Sequence, residues 1–324
     1  MKTAARRAGR SAGWLYGPAG DRLFGAVVLL LGLAVVAAAA LTVSMLYRGG
    51  APALRRFGWV GFASGAAWDP AVGMQFGALP FLAGTLITSA GALLLAVFPA
   101  VATALFVTEY APRPVAQVVS YLTDLLAAIP SVVYGLWGLL VMVPWVRRLE
   151  VAIFTWAAAH APWMVPVLGA PTGIGVLSAI LLLSVMIVPF ASSVARDAIR
   201  LVPAAQREAA WALGATHWET IRMAVLPHAR GGILAGVVLA LGRALGETMA
   251  VTMVIGNSHE IPAALFAPGA TMASVIANEF TEAVEDLHLS SLVAVGFYLF
   301  LLSLAVNVAA TLWLRRLYPR GERR

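Results

Sequence analysis

The stretch REAAWALGATHWETIRMAVLP, residues 207–227, lies between two long apolar segments and decides how the fold is interpreted. Its first part, Arg207–Leu213, is rich in alanine and predicts a short helix. Gly214 can end that helix, because glycine readily adopts the left-handed conformation found just after many helices. Thr216 and Glu219 then have the spacing of a capping box, which predicts the start of a second short helix. The sequence therefore predicts a helix–turn–helix outside the apolar part of the chain.

Four apolar segments precede this loop and two follow it. Each is long enough to cross a bilayer, since about 20 apolar residues in a helix span roughly 30 Å. Apolar residues make up 61% of the chain and charged residues only 11%, whereas soluble domains carry about 25% charged residues. These features predict an all-α membrane protein with six transmembrane helices. The predicted spans are Leu23–Leu46, Phe81–Val107, Val118–Val146, Gly173–Val194, Gly232–Ile255 and Leu289–Leu314.

The arginine and lysine residues are divided unequally between the two sides of the membrane. With the N-terminus inside, 16 of the 22 basic residues lie in the inner tails and loops, so the positive-inside rule places both termini in the cytoplasm. The apolar run Val151–Ala159 is too short to cross and is expected to be re-entrant or to lie at the surface. The expected organisation is a cytoplasmic arm (1–22), a transmembrane anchor helix (23–46), a periplasmic loop (47–79), a transmembrane core (80–316) containing a long cytoplasmic loop (195–229), and a cytoplasmic tail (317–324).

Three residue types limit the chemistry. The only lysine is Lys2, so the chain cannot form a phosphate-binding P-loop, and we expect any ATP hydrolysis to occur on a separate chain. There is no cysteine, which excludes disulfides and thiolate metal sites. His259 and His288 lie in an acidic outer loop, far apart in sequence, and we expect a solvated loop or docking face there, with no metal or cofactor. The arginines flank apolar spans, so the net charge of +7 indicates membrane topology and not nucleic-acid binding.

Within the cytoplasmic loop, the residues that form a pattern are Glu208, Ala209, Ala210, Gly214, Leu226 and Pro227. Their spacing resembles the EAA loop of ABC-importer permeases, with Ala224 where isoleucine is usual. The resemblance implies a coupling loop, beginning near Arg207, that docks on an ATPase and transmits its closure to the transmembrane helices. It also implies the type I ABC-importer permease (MetI-like) fold. Pro227 is expected to end the second loop helix before the next span.

Further strings keep one order and spacing along the chain. They include Phe76–Phe81, Thr108–Pro112, Ile129–Gly135 and Leu241–Thr252. Together they resemble PstC-type permeases of bacterial phosphate importers, over about Trp68–Arg316. The resemblance implies import of inorganic phosphate across the bacterial inner membrane by alternating access. The partners it implies are a PstA-type second permease, two PstB-type ATPases and a PstS-type periplasmic phosphate-binding protein, all in or at a lipid membrane.

The fifth predicted span carries Arg243, and an arginine near mid-bilayer costs about 2.5–3.5 kcal/mol on insertion scales. Arg243 and Glu247 are four residues apart and would share one face of a continuous helix. A guanidinium suits a tetrahedral oxyanion because it is forked and always charged. We therefore predict a substrate path that contains Arg243 and Glu247, with hydroxyl groups from Thr248, Thr252 and Ser131. The alternative is a structural ion pair that holds helices together.

Two other functions remain open from the sequence. A permease for molybdate, sulfate or another oxyanion would use the same fold. An autonomous secondary transporter or channel would need its own coupling groups, yet the predicted spans contain only Asp124 and Glu247 as carboxylates.

Pro130, inside the third predicted span, predicts a kink in that helix.

Overall fold

The computed structural model describes residues 18–71 and 73–317, most of which are helical. The chain divides into two compact units, Met1–Gly49 and Gly50–Arg324. The described part of the first unit belongs to one long helix, α1, which continues into the second unit. Its large apolar side chains from Leu23 to Leu41 are exposed, as they would be on a helix that faces lipid.

The described part of the chain contains fourteen α-helices and one hairpin. The helices are Pro18–Phe57 (α1), Trp59–Ser64 (α2), Leu79–Leu105 (α3), Arg113–Ala128 (α4), Ser131–Trp137 (α5), Val143–His160 (α6), Val165–Leu168 (α7), Val176–Arg200 (α8), Ala204–Ala212 (α9), His217–Thr220 (α10), Leu226–Leu245 (α11), Met249–Ile255 (α12), Met272–Glu279 (α13) and Asp286–Leu317 (α14). Three π-helical segments extend or join them, at Phe106–Tyr110, Gly138–Met142 and Ile221–Val225, and a 3₁₀ turn covers Pro162–Met164. Strands Trp68–Asp69 (β1) and Gln75–Phe76 (β2) pair antiparallel.

Among the described residues, five helices are long and apolar enough to cross a membrane, and a bent pair adds a sixth span when it is counted as one. The five are α1, α3 with its π-helical extension, α8, the helix His217–Leu245, and α14. The pair consists of α4 with the stretch Ser131–His160. The number and order of the spans agree with the sequence prediction. The run Val151–Ala159, which the sequence suggested as a separate segment, is part of α6.

The third predicted span, Val118–Val146, is present as a bent pair of helices. The two parts of the bent pair differ in direction by 95°. The break lies at Pro130, because the residue before a proline avoids the helical conformation, and Ile129 has an extended backbone with ψ of 131°. The Tyr134 hydroxyl bridges the break by donating a hydrogen bond to the Leu126 carbonyl at 2.9 Å. The kink predicted at Pro130 is therefore a sharp, internally braced bend.

Helices α3, α8 and α11 pack together at the centre of the second unit. Small side chains at their contacts allow close approach, which favours helix association in membranes. These small residues include Ala92, Ala96 and Ala100 on α3, Ala179 on α8, and Ala240 and Ala244 on α11. Gly236 shows how close the approach is, because a Cβ at this position would lie 3.0 Å from the Val194 Cβ. A larger residue at Gly236 would push α8 and α11 apart.

Candidate functional site

The helix–turn–helix predicted in the cytoplasmic loop is present. Helix α9 begins three residues before Arg207 and ends just before Gly214, which has a left-handed φ of +83°. The capping box is formed, since the Glu219 backbone N–H donates to Thr216 Oγ1 at 3.4 Å and the Thr216 N–H donates to Glu219 Oε2 at 2.8 Å. Both turn signals in the sequence are confirmed.

The predicted end of the second loop helix at Pro227 is wrong. Helix α10, the π-helical segment and α11 form one continuous helix, His217–Leu245. Just before the proline, the Leu226 N–H bonds to the carbonyl of Ile221, five residues back. Proline has no backbone N–H to donate. The wider π-helical turn shifts the backbone hydrogen bonds just before Pro227, so the helix accommodates the proline and continues. The coupling loop is therefore joined rigidly to the fifth span.

One face of the loop is exposed and mixes charge with large apolar groups. Glu208 and Ala209 are exposed, Leu213 is 90% exposed, and Trp211 and Trp218 are about half exposed. Large apolar side chains grouped on an exposed surface mark a contact site for another protein. The other loop residues singled out by the sequence are either half-buried, Ala210 and Leu226, or exposed, Gly214 and Pro227.

Arg207 points away from that face and into the protein. Its Nη2 atom lies 2.9 Å from Glu109 Oε1, in an ion pair whose side chains are 19% and 8% exposed. Its Nη1 atom donates to the Val202 carbonyl at 2.6 Å, and its Nη2 atom also donates to the Ile199 carbonyl at 3.2 Å. The sequence placed Arg207 in the loop but gave no indication of Glu109, which lies 98 residues earlier.

The fifth predicted span, Gly232–Ile255, is interrupted. Helix α11 ends at Leu245, three residues lie outside any helix, and α12 follows. Glu247 is one of the three, so it does not share a helix face with Arg243, and the predicted side-by-side arrangement is wrong. Within the described residues, no ion pair joins the two side chains. Instead, Glu247 Oε1 accepts a hydrogen bond of 3.4 Å from the Ala250 N–H. The physical reason is Gly246, which adopts a non-helical conformation at the end of α11.

Arg243 lies among apolar and neutral polar groups. Its guanidinium carbon is 5.9 Å from the centre of the Phe190 ring on α8, a cation–π distance. Its Nε atom is buried and has no hydrogen-bond partner. Asn307 on α14 lies beside the preceding residue, since a Cβ on Gly242 would be 3.5 Å from Asn307 Oδ1. Asn307 was not predicted as a site residue, although it is the only asparagine within the predicted spans.

Ser131 and Thr248 lie at the starts of two short helices that pack together, and Thr252 lies in the middle of the second. Thr248 donates to the Gly246 carbonyl at 3.2 Å, and Thr252 donates to the Thr248 carbonyl at 2.7 Å. A Cβ on Gly135 of α5 would be 3.0 Å from the Ala250 Cα, and one on Gly138 would be 3.3 Å from Val254 Cγ1. The two contacts occur in the same order along the chain, so the two helical stretches run parallel where they meet. Ser131 is four residues before Gly135, which places it beside the break at Gly246–Thr248.

A second ion pair joins α4 to α8. Arg196 Nη2 lies 2.9 Å from Asp124 Oδ1, and the Arg196 side chain is 9% exposed against 53% for Asp124. Asp124 was noted in the sequence as a carboxylate near the start of a span. Arg196 was counted among the cytoplasmic loop residues, but it lies inside α8, where its charge is balanced by Asp124.

On the side of the protein predicted to face outward, two histidines share one carboxylate. Trp68 Nε1 and His288 Nε2 are 2.9 Å and 2.8 Å from Glu279 Oε2, and His259 Nε2 is 2.6 Å from Oε1. Burial raises the pKa of Glu279, but hydrogen bonds from His259, Trp68 and His288 outweigh it and hold that pKa below its ordinary value of 4.5. The expected solvated loop is therefore partly wrong, because Glu279 and His288 are buried.

The cluster borders an open cleft of about 490 Å³. Its wall carries Pro70, Ala71, His259, Asn278, Glu279, Glu282, Val284, Glu285 and His288. Among the described residues, no group of three or more histidines and carboxylates has the geometry to hold a metal ion. The imidazoles point to Glu279 and brace the hairpin and α13 against α14.

The sequence is similar to known transport proteins over most of its length. Residues 100–320 match the family described as binding-protein-dependent transport system inner membrane component. The phosphate transport system permease protein PstC of Mesorhizobium japonicum is 44% identical, over 85% of this chain and 84% of the relative. The protein of the same name from Haemophilus influenzae is 40% identical, over 92% of this chain and 94% of the relative. PstC 2 of Mycobacterium tuberculosis is 38% identical over 90% of both.

Two solved structures share the fold at low sequence identity. A methionine ABC transporter, MetNI, in an inward-facing conformation superposes with a TM-score of 0.52 and 18% identity, covering 72% of this chain and 94% of that one. A bacterial ABC transporter involved in import of the acidic polysaccharide alginate gives 0.53 and 16%, covering 92% and 99%. The fold is thus that of ABC-importer permeases, and the chain belongs to the binding-protein-dependent transport system inner membrane component family and, within it, to the PstC permeases.

Proposed function

We propose that this chain is a transmembrane subunit of an importer that moves inorganic phosphate across the bacterial inner membrane. The names of its relatives support the substrate. The observation that carries the proposal is Arg243, a half-buried guanidinium beside the break in the fifth span, with no carboxylate partner among the described residues. A fixed, forked positive charge of this kind binds an oxyanion by paired, charge-assisted hydrogen bonds.

The proposed path follows the two breaks. Arg243 would receive phosphate, while Ser131, Thr248 and Thr252 would offer hydroxyl groups near the start of α5 and α12. Glu247 would act mainly on the protein, since its carboxylate holds the first turn of α12 through Ala250. Chain breaks within a span let the short helices change direction without unfolding the long ones, which is what alternating access requires. The path would then open to the two sides of the membrane in turn.

The energy would come from partner subunits. The sole lysine, Lys2, excludes a P-loop in this chain, so we propose two PstB-type ATPases on the cytoplasmic side. They would dock on the exposed face around Glu208, Ala209 and Leu213. A PstA-type permease would complete the transmembrane pair, and a PstS-type protein would deliver phosphate from outside. No chemistry other than binding and movement is then needed from this chain.

The proposed orientation follows the charge bias. Both termini would be cytoplasmic, with the arm at 1–22, the anchor helix at 23–46, the periplasmic loop at 47–79, the permease core at 80–316, the coupling loop at 195–229 and the tail at 317–324. The coupling loop then meets the ATPases inside the cell, and the Glu279 cluster faces the periplasm.

Uptake of radiolabelled phosphate tests the proposal in proteoliposomes that contain all four kinds of subunit. Arg243→Gln should lower uptake about 30-fold or more, the effect of removing one member of a desolvated charge pair. Arg243→Lys keeps the positive charge but loses the forked pair of N–H donors, so its phosphate uptake should lie between that of Arg243→Gln and that of the unchanged protein. Arg113→Gln, which removes an exposed arginine at the start of α4, should behave as the unchanged protein.

Three results would contradict the proposal. Normal phosphate uptake by a correctly assembled Arg243→Gln complex would remove Arg243 from the path. ATP-driven uptake of molybdate or sulfate, with no competition from phosphate, would assign another oxyanion. Phosphate flux through this chain alone, with or without a proton gradient, would indicate a carrier or channel.

A further inference from the structure

The Arg207 guanidinium makes three contacts with two separate parts of the protein, the segment that contains Glu109 and the end of α8. It forms the 2.9 Å ion pair with Glu109 and donates to the carbonyls of Ile199 and Val202. Ile199 lies in the last turn of α8, where helix carbonyls have no partner inside the helix. An arginine can satisfy such carbonyls and also interacts favourably with the negative end of the helix. The base of the coupling loop is therefore fixed to the end of α8.

Glu109 provides the link to a different span. It lies in the π-helical segment Phe106–Tyr110, which extends α3. The backbone carbonyl of Glu109 accepts a hydrogen bond of 3.1 Å from His217 Nε2, and the rings of Tyr110 and His217 meet edge to face at 4.9 Å. Both short helices of the coupling loop, α9 through Arg207 and α10 through His217, thus hold the same end of α3.

The burial of the pair makes this connection stiff. With 8% of the Glu109 side chain and 19% of the Arg207 side chain exposed, neither charge can be left unpaired without a large desolvation penalty. In an exposed ion pair, each partner can exchange its contact for water, so the pair contributes little to holding two helices together. A movement of α9 must therefore displace the end of α3 with it.

We propose that Arg207 is a positioning residue that transmits movement of the coupling loop to α3 and α8, and that it does not contact the ATPase. This inference rests on the proposed ATP-driven transport. The inference gives two neighbouring loop residues different roles. The exposed Glu208 would face the ATPase, and Arg207 would face the transmembrane helices. Helix α11 receives the movement directly, because it is continuous with α10. Helix α8 receives it through Arg207, and α3 receives it through Arg207 and also through His217.

The test uses the assembled complex and three readouts. These are the amount of ATPase that co-purifies, the rate of ATP hydrolysis, and the number of phosphate ions taken up for each ATP hydrolysed. Arg207→Gln and Glu109→Gln should each leave co-purification unchanged and lower the uptake-to-hydrolysis ratio roughly tenfold or more, within the usual range of coupling between sites. The double variant should be no worse than either single variant, because the two residues act as one unit.

Two further variants keep the test decisive. Arg200→Gln removes an exposed arginine at the same end of α8 and should leave the ratio unchanged. Arg207→Lys should restore part of the ratio, since a lysine can still reach Glu109 and one carbonyl. If Arg207→Gln instead releases the ATPase, or if the effects of Arg207→Gln and Glu109→Gln multiply, the proposed role is wrong. An unchanged ratio in both single variants would also overturn it.

A labelling experiment distinguishes failure of this inference from failure of the proposed function. The chain has no cysteine, so Ala128→Cys introduces a single thiol at an exposed position beside the break in the third span, outside the proposed phosphate path. ATP binding should change the rate at which this thiol is labelled, whichever anion is carried, and Arg207→Gln should abolish that change. A labelling response without phosphate uptake would contradict the substrate and leave the role of Arg207 standing. A response that survives Arg207→Gln would contradict the role of Arg207.

Discussion

Replacing Glu279 by glutamine should destabilise the outer side of the protein, and by a pH-dependent amount. The carboxylate accepts a hydrogen bond from Trp68, and the Nε2 atoms of His288 and His259 lie 2.8 Å and 2.6 Å from its two oxygens. An amide of the same shape loses the charge and turns an NH₂ group toward at least one of these donors. Removing one member of a buried pair costs about 3–5 kcal/mol. Because a glutamine oxygen still accepts one hydrogen bond, we expect about 3 kcal/mol.

The pH dependence follows from the direction of the pKa shift. The pKa of Glu279 is held below its ordinary value of 4.5 in the folded protein. A carboxyl group of this kind adds stability above its unfolded pKa and loses it as the pH falls through the folded pKa. Glutamine does not titrate. The difference in melting temperature between the two proteins should therefore be full at neutral pH and shrink below about pH 4.5.

Thermal unfolding in detergent, followed by tryptophan fluorescence, measures this difference. At about 2 °C for each kcal/mol in a chain of this size, Glu279→Gln should melt about 6 °C lower at pH 7. Glu282→Gln is the matched control, because Glu282 borders the same cleft but is exposed. The reasoning is refuted if the two variants melt alike at pH 7, or if the deficit of Glu279→Gln is undiminished at pH 4.

Three smaller changes test other parts of the structure. Gly214→Ala should cost about 1–2 kcal/mol from its left-handed backbone alone, since a Cβ there meets nothing within 4 Å; circular dichroism during heating measures it. Tyr134→Phe removes the hydrogen bond to Leu126 across the bend and should lower stability by about 1 kcal/mol, seen as faster proteolysis near Pro130. Asp124→Asn should cost about 1.5–3 kcal/mol, because it leaves the buried Arg196 guanidinium without its carboxylate, and added salt should reduce the difference in melting temperature from the unchanged protein.

The spans and the helix–turn–helix that contains Gly214 could be predicted because their signals are local. Hydropathy finds any apolar run of sufficient length, and Gly214 with Thr216 mark turns through backbone preference and capping. The break at Gly246 was not predicted, since hydropathy does not change across Gly246-Glu247-Thr248 enough to end a span. A glycine alone does not predict a break in a membrane helix. Gly236, for example, lies within α11 at a close contact between helices.

The side-chain pairs could not be predicted because they join residues that are distant in sequence. Trp68 and Glu279 are 211 residues apart, and Arg196 and Asp124 are 72 apart. Nothing in the neighbourhood of either partner indicates the other. For Glu279 the sequence showed an acidic loop with two histidines, which is compatible with full solvation as well as with a shared carboxylate. Only the packing of the hairpin, α13 and α14 selects the second arrangement.

Among the arginines whose side chains the structure describes, three are not exposed, and they differ in how their charge is balanced: Arg196, Arg207 and Arg243. Arg196 is matched by Asp124, and Arg207 by Glu109, each at 2.9 Å. An arginine held in apolar surroundings needs such a partner or an aqueous cavity. Arg243 has a cation–π contact and a buried Nε without a hydrogen bond, but no carboxylate within the described residues. Glu247, which the sequence predicted as the partner of Arg243, instead accepts a hydrogen bond from the Ala250 N–H in the first turn of α12. A matched arginine would have to give up its carboxylate to bind phosphate, whereas in the proposed path Arg243 would gain its missing counter-charge when phosphate binds.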